Sequence, residues 1–136
     1  MTIGWQSSME TGASVVDAQH RALVERARNL VTSIGEGSEL PVVERALREF
    51  GDYAVRHFSQ DEDCAMREAC PALEWNAAAR AELMGITASF RKSYERAGST
   101  PAVAEDLDRE LSSWVSRYIP GPESALRPCV IRECRS

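Results

Sequence analysis

Apolar residues recur along most of this chain at alternating steps of three and four, the period of helices that turn one face to a core. A first stripe runs through Val16, His20, Leu23, Ala27, Leu30 and Ile34, from Asp17 in the position of an N-cap to the stop signal Gly35-Glu36-Gly37. Pro41 opens a second helix, where a missing N–H costs little, and its stripe of Val43, Leu47, Phe50, Ala54, His57, Asp61 and Cys64 carries on to about Met66. After Cys70 and Pro71 a third stripe follows Leu73, Asn76, Arg80, Leu83, Thr87, Phe90 and Tyr94 until Gly98. Thr100-Pro101 starts a fourth, with Val103, Leu107, Leu111, Trp114 and Tyr118 inward, and Pro120-Gly121-Pro122 stops it abruptly.

Four helices joined by short links predict an all-α fold, an up-down-up-down antiparallel four-helix bundle. Residues 1–16 lack a sustained period and predict an irregular N-terminal arm, with Trp5 needing a place to be buried. The bundle is expected to occupy residues 1–123, followed by an irregular C-terminal tail over 124–136. In this topology the start of the first helix, the end of the second, the start of the third and the end of the fourth meet at one end. Polar residues interrupt the stripes at those places: His20, His57, Asp61, Asn76, Arg80 and Tyr118. Polar groups on a buried stripe need partners, so their convergence predicts a site or the remains of one. His57 and Asp61 stand four residues apart on one helical face, a spacing that suits metal ligation.

Composition narrows the classes of function. With 136 residues, 43% of them hydrophobic and 27% charged, the chain suits one globular domain. A net charge of −5, with 16 Lys and Arg residues scattered among 21 acids, speaks against nucleic-acid binding. No apolar run is long enough to span a membrane and the N-terminus lacks a signal pattern, so a cytoplasmic protein is expected. Cys64, Cys70, Cys129 and Cys134 form no CxxC pair; in a reducing compartment they are expected as free thiols, Cys64 as a buried packing residue.

At the level of motifs the chain resembles the hemerythrins, in particular their single-domain bacterial members. The resemblance rests on Trp5, Gly12, the run Val16-Asp17-Ala18-Gln19-His20, His57-Phe58 followed by the acid Asp61, Pro71, and Trp114-Val115 through Tyr118-Ile119 to Glu123. It implies a bundle that holds two irons through five histidines and two bridging carboxylates and binds O2 at one iron. On this resemblance His20 and His57 match the histidines of one iron. Asp61 stands where the family has a bridging glutamate, and Glu123 where it has a bridging aspartate. The three histidines of the other iron correspond to Asn76, Arg80 and Tyr118, and the chain holds only two histidines in all.

The expectation is therefore a degenerate site with two readings. In one, His20, His57, Asp61 and Glu123 hold a single divalent ion, iron foremost, with Mn or Zn as alternatives, for metal-, redox- or oxygen-related binding or sensing, with O2 or another small ligand at the metal. In the other the site is metal-free: Arg80 supplies fixed positive charge to Asp61 and Glu123, with snorkelling out of the bundle end as its alternative course, Asn76 and Tyr118 complete the hydrogen bonds, and the bundle serves as an interaction module for a protein partner or a homodimer. A third, ranked last because no substrate pocket is visible, is an iron enzyme with Tyr118 or Cys64 as electron source.

Overall fold

The computed structural model describes residues 3–130, and these form a bundle of four long helices with no β-strand among them. The helices are α1 (Ser14–Gly35), α2 (Leu40–Arg67), α3 (Leu73–Ala97) and α4 (Pro101–Tyr118), each packed on its neighbours around the bundle. The expected stripes of α1 and α4 are buried throughout. On α2 the stripe is buried from Val43 to Cys64, apart from Leu47, which is partly covered. Thr100 caps α4 as expected, its side chain accepting from the Val103 N–H at 3.3 Å. No described helix is long and apolar enough to cross a membrane.

Three features differ from expectation. Asp17 is not an N-cap, because α1 begins at Ser14; its carboxylate accepts instead from the Thr11 N–H at 2.9 Å, the Thr11 hydroxyl at 2.7 Å and the Gly12 N–H at 3.3 Å. It thus ties the N-terminal arm back to the helix, satisfying donors outside the helix rather than those of its first turn. The second difference is in the tail. Pro120-Gly121-Pro122 does end α4, but through a π-type turn over Ile119–Glu123 that leads into a short helix, α5 (Ser124–Val130). A side-chain carbon at Gly121 would come within 3.2 Å of the Trp75 ring, so glycine lets this turn lie against α3. Residues 131–136, including Cys134, lie outside the described residues.

The third difference is covalent. Cys70 and Cys129 are joined in a disulfide, with Cα atoms 6.0 Å apart, and Cys64 is disulfide-bonded too, so the free thiols expected from a reducing compartment are not found. The spacing of the cysteines carried no framework signature because the pairing depends on a tertiary approach across 59 residues of sequence. The bond fixes the end of α5 to the α2–α3 link. Around it Cys64, Ala65, Cys70 and Leu126 make a small apolar cluster distinct from the main core.

The N-terminal arm covers one side of the bundle with a single 3-10 turn at Ser7–Met9. Ile3 is buried, its N–H donating to Asp108 at 2.7 Å, and Trp5 packs partly against the core beneath the Arg21 guanidinium, 5.0 Å from its ring. Toward the end where α4 gives way to the turn, aromatic side chains dominate. Trp114 stacks on Tyr118 with centroids 4.7 Å apart, meets Phe58 edge-on, and donates its indole N–H to the Ala79 carbonyl at 2.9 Å. This aromatic wall is the floor of the polar layer. Trp114→Ala removes the stack and the hydrogen bond and leaves a large cavity, and is expected to lower stability by about 3–5 kcal/mol in chemical denaturation; a loss under about 1 kcal/mol would show that the wall is not a structural support.

Candidate functional site

The polar layer is assembled from five elements. His20 comes from the second turn of α1, His57 and Asp61 from the second half of α2, Asn76 from the first turn of α3, Tyr118 from the last residue of α4, and Glu123 from the turn that follows. All six side chains are buried, Glu123 and Asn76 completely. The antiparallel topology puts these segments at one end of the bundle, as the stripes predicted.

Inside the layer the ligands expected from the sequence stand in two imidazole–carboxylate pairs. His57 Nε2 lies 3.4 Å from Asp61 Oδ2 and 3.0 Å from the Tyr118 hydroxyl. His20 Nε2 lies 3.5 Å from Glu123 Oε1, yet neither ring nitrogen of His20 makes an aligned hydrogen bond among the described residues. The two rings meet edge-on with centroids 5.8 Å apart. Asn76 is buried in the layer, and neither the nitrogen nor the oxygen of its side-chain amide has a hydrogen-bond partner among the described residues. Tyr118 fills the space with a ring, and its hydroxyl meets His57.

Arg80 corrects the expectation. It was expected to point inward and carry charge to Asp61 and Glu123. Instead its side chain is 39% exposed and its Nε donates to Glu62, at 2.9 and 3.2 Å, on the rim of the bundle. The helical step from Asn76 to Arg80 puts the long side chain at the edge of the buried face, where it reaches water at no desolvation cost. A different arginine serves Glu123. Arg127, one turn later on α5, reaches Glu123 Oε2 with its terminal nitrogen at 2.7 Å and its Nε at 3.2 Å. Sequence reasoning missed it because the tail carried no period; the i,i+4 spacing of Glu123 and Arg127 was the available signal, and it needed a helix to mean anything.

Burial by itself would raise the Glu123 carboxyl. The contacts from His20 and Arg127 outweigh that effect and hold its pKa at about 2. A carboxyl depressed in the folded state stabilises the fold above its unfolded pKa, and that contribution fades as pH falls from about 4.5 toward 2. In chelator-treated protein, Glu123→Gln is accordingly expected to flatten acid destabilisation in that window, followed by circular dichroism; an unchanged acid limb would show that another group governs it. Arg127→Ala uncovers a buried carboxylate and is expected to cost about 3 kcal/mol, toward the low end for such pairs because Arg127 reaches solvent. Arg80→Ala breaks a rim pair and should cost under about 1 kcal/mol. Equal losses in urea unfolding would reverse the assignment of the two arginines.

No known family model matches the chain, and no solved structure does. Among curated proteins the matches are bacteriohemerythrins. That of Stenotrophomonas maltophilia is 24% identical over 121 residues, 89% of this chain and 76% of the relative. That of Pseudomonas paraeruginosa is 34% identical over 58 residues, 43% of this chain, and that of Pseudomonas aeruginosa is 33% identical over the same length. These stretches span only 37% of the Pseudomonas proteins. The chain is thus distantly similar to bacteriohemerythrins, and its helical bundle with a buried histidine–carboxylate layer accords with that similarity.

Proposed function

We propose that this chain is a hemerythrin-like binding protein with a reduced metal site, taking at most one divalent ion through His20, His57, Asp61 and Glu123. Iron is the first candidate, with manganese or zinc as alternatives, and the role is oxygen- or redox-related sensing with O2 or another small ligand at the metal, rather than O2 carriage. The observation that carries this reading is the buried layer itself, which holds two imidazole–carboxylate pairs and in which both ring nitrogens of His20 lack an aligned partner among the described residues. That donor chemistry suits one hard or borderline divalent ion. It does not suit two irons, since Asn76, Arg80 and Tyr118 stand at the remaining positions.

Among the described residues no three His, Cys, Asp or Glu side chains close around a common point. Ligation therefore requires local rearrangement, chiefly at Glu123, one of whose oxygens is engaged by Arg127. The metal would supply Lewis acidity or a one-electron couple. The chain supplies a dry, aromatic-walled layer and an imidazole–phenol contact between His57 and Tyr118 that positions one donor.

A metal-free scaffold is the second reading, favoured by the same Arg127 contact, which gives Glu123 a fixed cation in place of a metal. In that case the bundle serves as an interaction module for a protein partner or homodimer. Catalysis by an iron centre ranks below both, and Cys64, disulfide-bonded here, is not a thiol electron source in this form. The cytoplasmic location expected from the sequence conflicts with the disulfides, which suit an oxidising compartment or a bond that responds to redox conditions. Elemental analysis of protein purified from iron-supplemented cells decides between the readings. About one metal per chain, lost in His20→Ala and His57→Ala, is the expected result; folded protein without metal would favour the scaffold, and two irons with an oxo-bridged absorption would sink both.

A further inference from the structure

Glu123 owes its guanidinium to a segment with little reason to stay in place. The helix α5 has seven residues, too few to be stable alone, and Pro128 inside it removes a backbone hydrogen bond. Among the described residues two attachments besides the ion pair hold it: Leu126, fully buried against Cys64, Ala65 and Cys70, and the covalent bond from Cys129 to Cys70. Cys129 is only two residues beyond Arg127, so the bond pins the residue that occupies the site. We propose that the Cys70–Cys129 disulfide is a thiol-exchange site and a redox latch on the polar layer: intact, it keeps Arg127 on Glu123; reduced, it lets α5 withdraw and hands Glu123 to an incoming divalent cation.

The chemistry of the step is ordinary exchange with a dithiol donor. Cys129 is partly exposed whereas Cys70 is buried, so the donor thiolate attacks Cys129 Sγ and Cys70 leaves as thiolate and takes up a proton. The donor's second thiol then resolves the mixed disulfide, releasing Cys129 as a thiol. Two electrons and two protons have passed to the protein, and the donor ends as its own disulfide. Withdrawal of Arg127 would leave a buried carboxylate beside His20 without its guanidinium, which is costly unless a cation or water replaces it. Reduction and cation binding at Glu123 are therefore linked, and by reciprocity a bound cation favours the reduced latch.

The latch stands on the disulfide and on α5; its effect on cation binding rests in addition on the reading of the layer as a metal site, and the two are tested separately. Hydrogen exchange of residues 119–130 would be compared in the full chain as purified under oxidising conditions, after treatment with a dithiol, and in Cys70→Ser/Cys129→Ser, a variant in which only this bond is removed. Exchange in that segment is expected to rise at least about tenfold in both unlatched forms. Unchanged exchange would overturn the latch, showing that Leu126 suffices. Mn2+, a hard ion that binds thiolates weakly, would then be titrated by electron paramagnetic resonance, with affinity expected about tenfold or more higher in the unlatched forms and in oxidised Arg127→Ala. Equal, measurable Mn2+ affinity in latched and unlatched forms would overturn control of the site. No Mn2+ binding in any form would remove the metal reading and with it that control, while the exchange data alone decide the latch. If the double variant fails to fold, Cys129→Ser alone, compared with the oxidised wild type, supplies both measurements, because a dithiol also reduces the bond at Cys64.

Discussion

A carboxylate with no access to water has to be matched by positive charge, and in this protein that carboxylate is Glu123. Much of the chain's behaviour at the polar end follows from how the match is made. The turn after α4 delivers Glu123 inward, His20 meets one oxygen from α1, and Arg127 meets the other from α5. Part of that charge comes from a guanidinium carried on α5, which makes the C-terminal segment a component of the layer.

The other polar positions of the layer behave differently. Tyr118 fills space, stacks on Trp114 and shares a hydrogen bond between its hydroxyl and His57. Asn76 is the least satisfied of the group, fully buried and without hydrogen-bond partners among the described residues. Arg80 leaves the layer altogether for the rim. These three are thus a packing residue, an amide and a surface ion pair. Beside them His57 pairs with Asp61 and His20 with Glu123.

Covalent bonding couples this layer to the corner between α2 and α3. The disulfide at Cys70 and Cys129 is close in sequence to Arg127 at one end and, at the other, to the start of α3, from which Asn76 projects. Redox state, helix docking and charge matching therefore meet in a few residues. In such an arrangement a local event has a readout inside the core, because α5 has little stability apart from its attachments.

Periodicity alone determined the four long helices, their inward faces and the convergence of His20, His57, Asp61, Asn76 and Tyr118, because steps of three and four place residues on one face whatever they pack against. Glu123 was not on any stripe; only the family resemblance, not periodicity, pointed to it. The direction of Arg80 was beyond it: a long side chain at the margin of a stripe can turn either way, and only the presence of Glu62 across the helix pair and the cost of burial decided for the rim. Asp17 was misread as a cap for a related reason, since a carboxylate near a helix start bonds to whichever backbone donors the arm presents. The tail lay furthest from what a linear pattern can show. Ser124–Val130 is too short to display a period, and its helix exists because Leu126, Arg127 and Cys129 find partners on α2, the turn and the α2–α3 link. Those contacts join residues distant in sequence, so it was the tertiary structure that chose which arginine faces Glu123 and which cysteines are bonded.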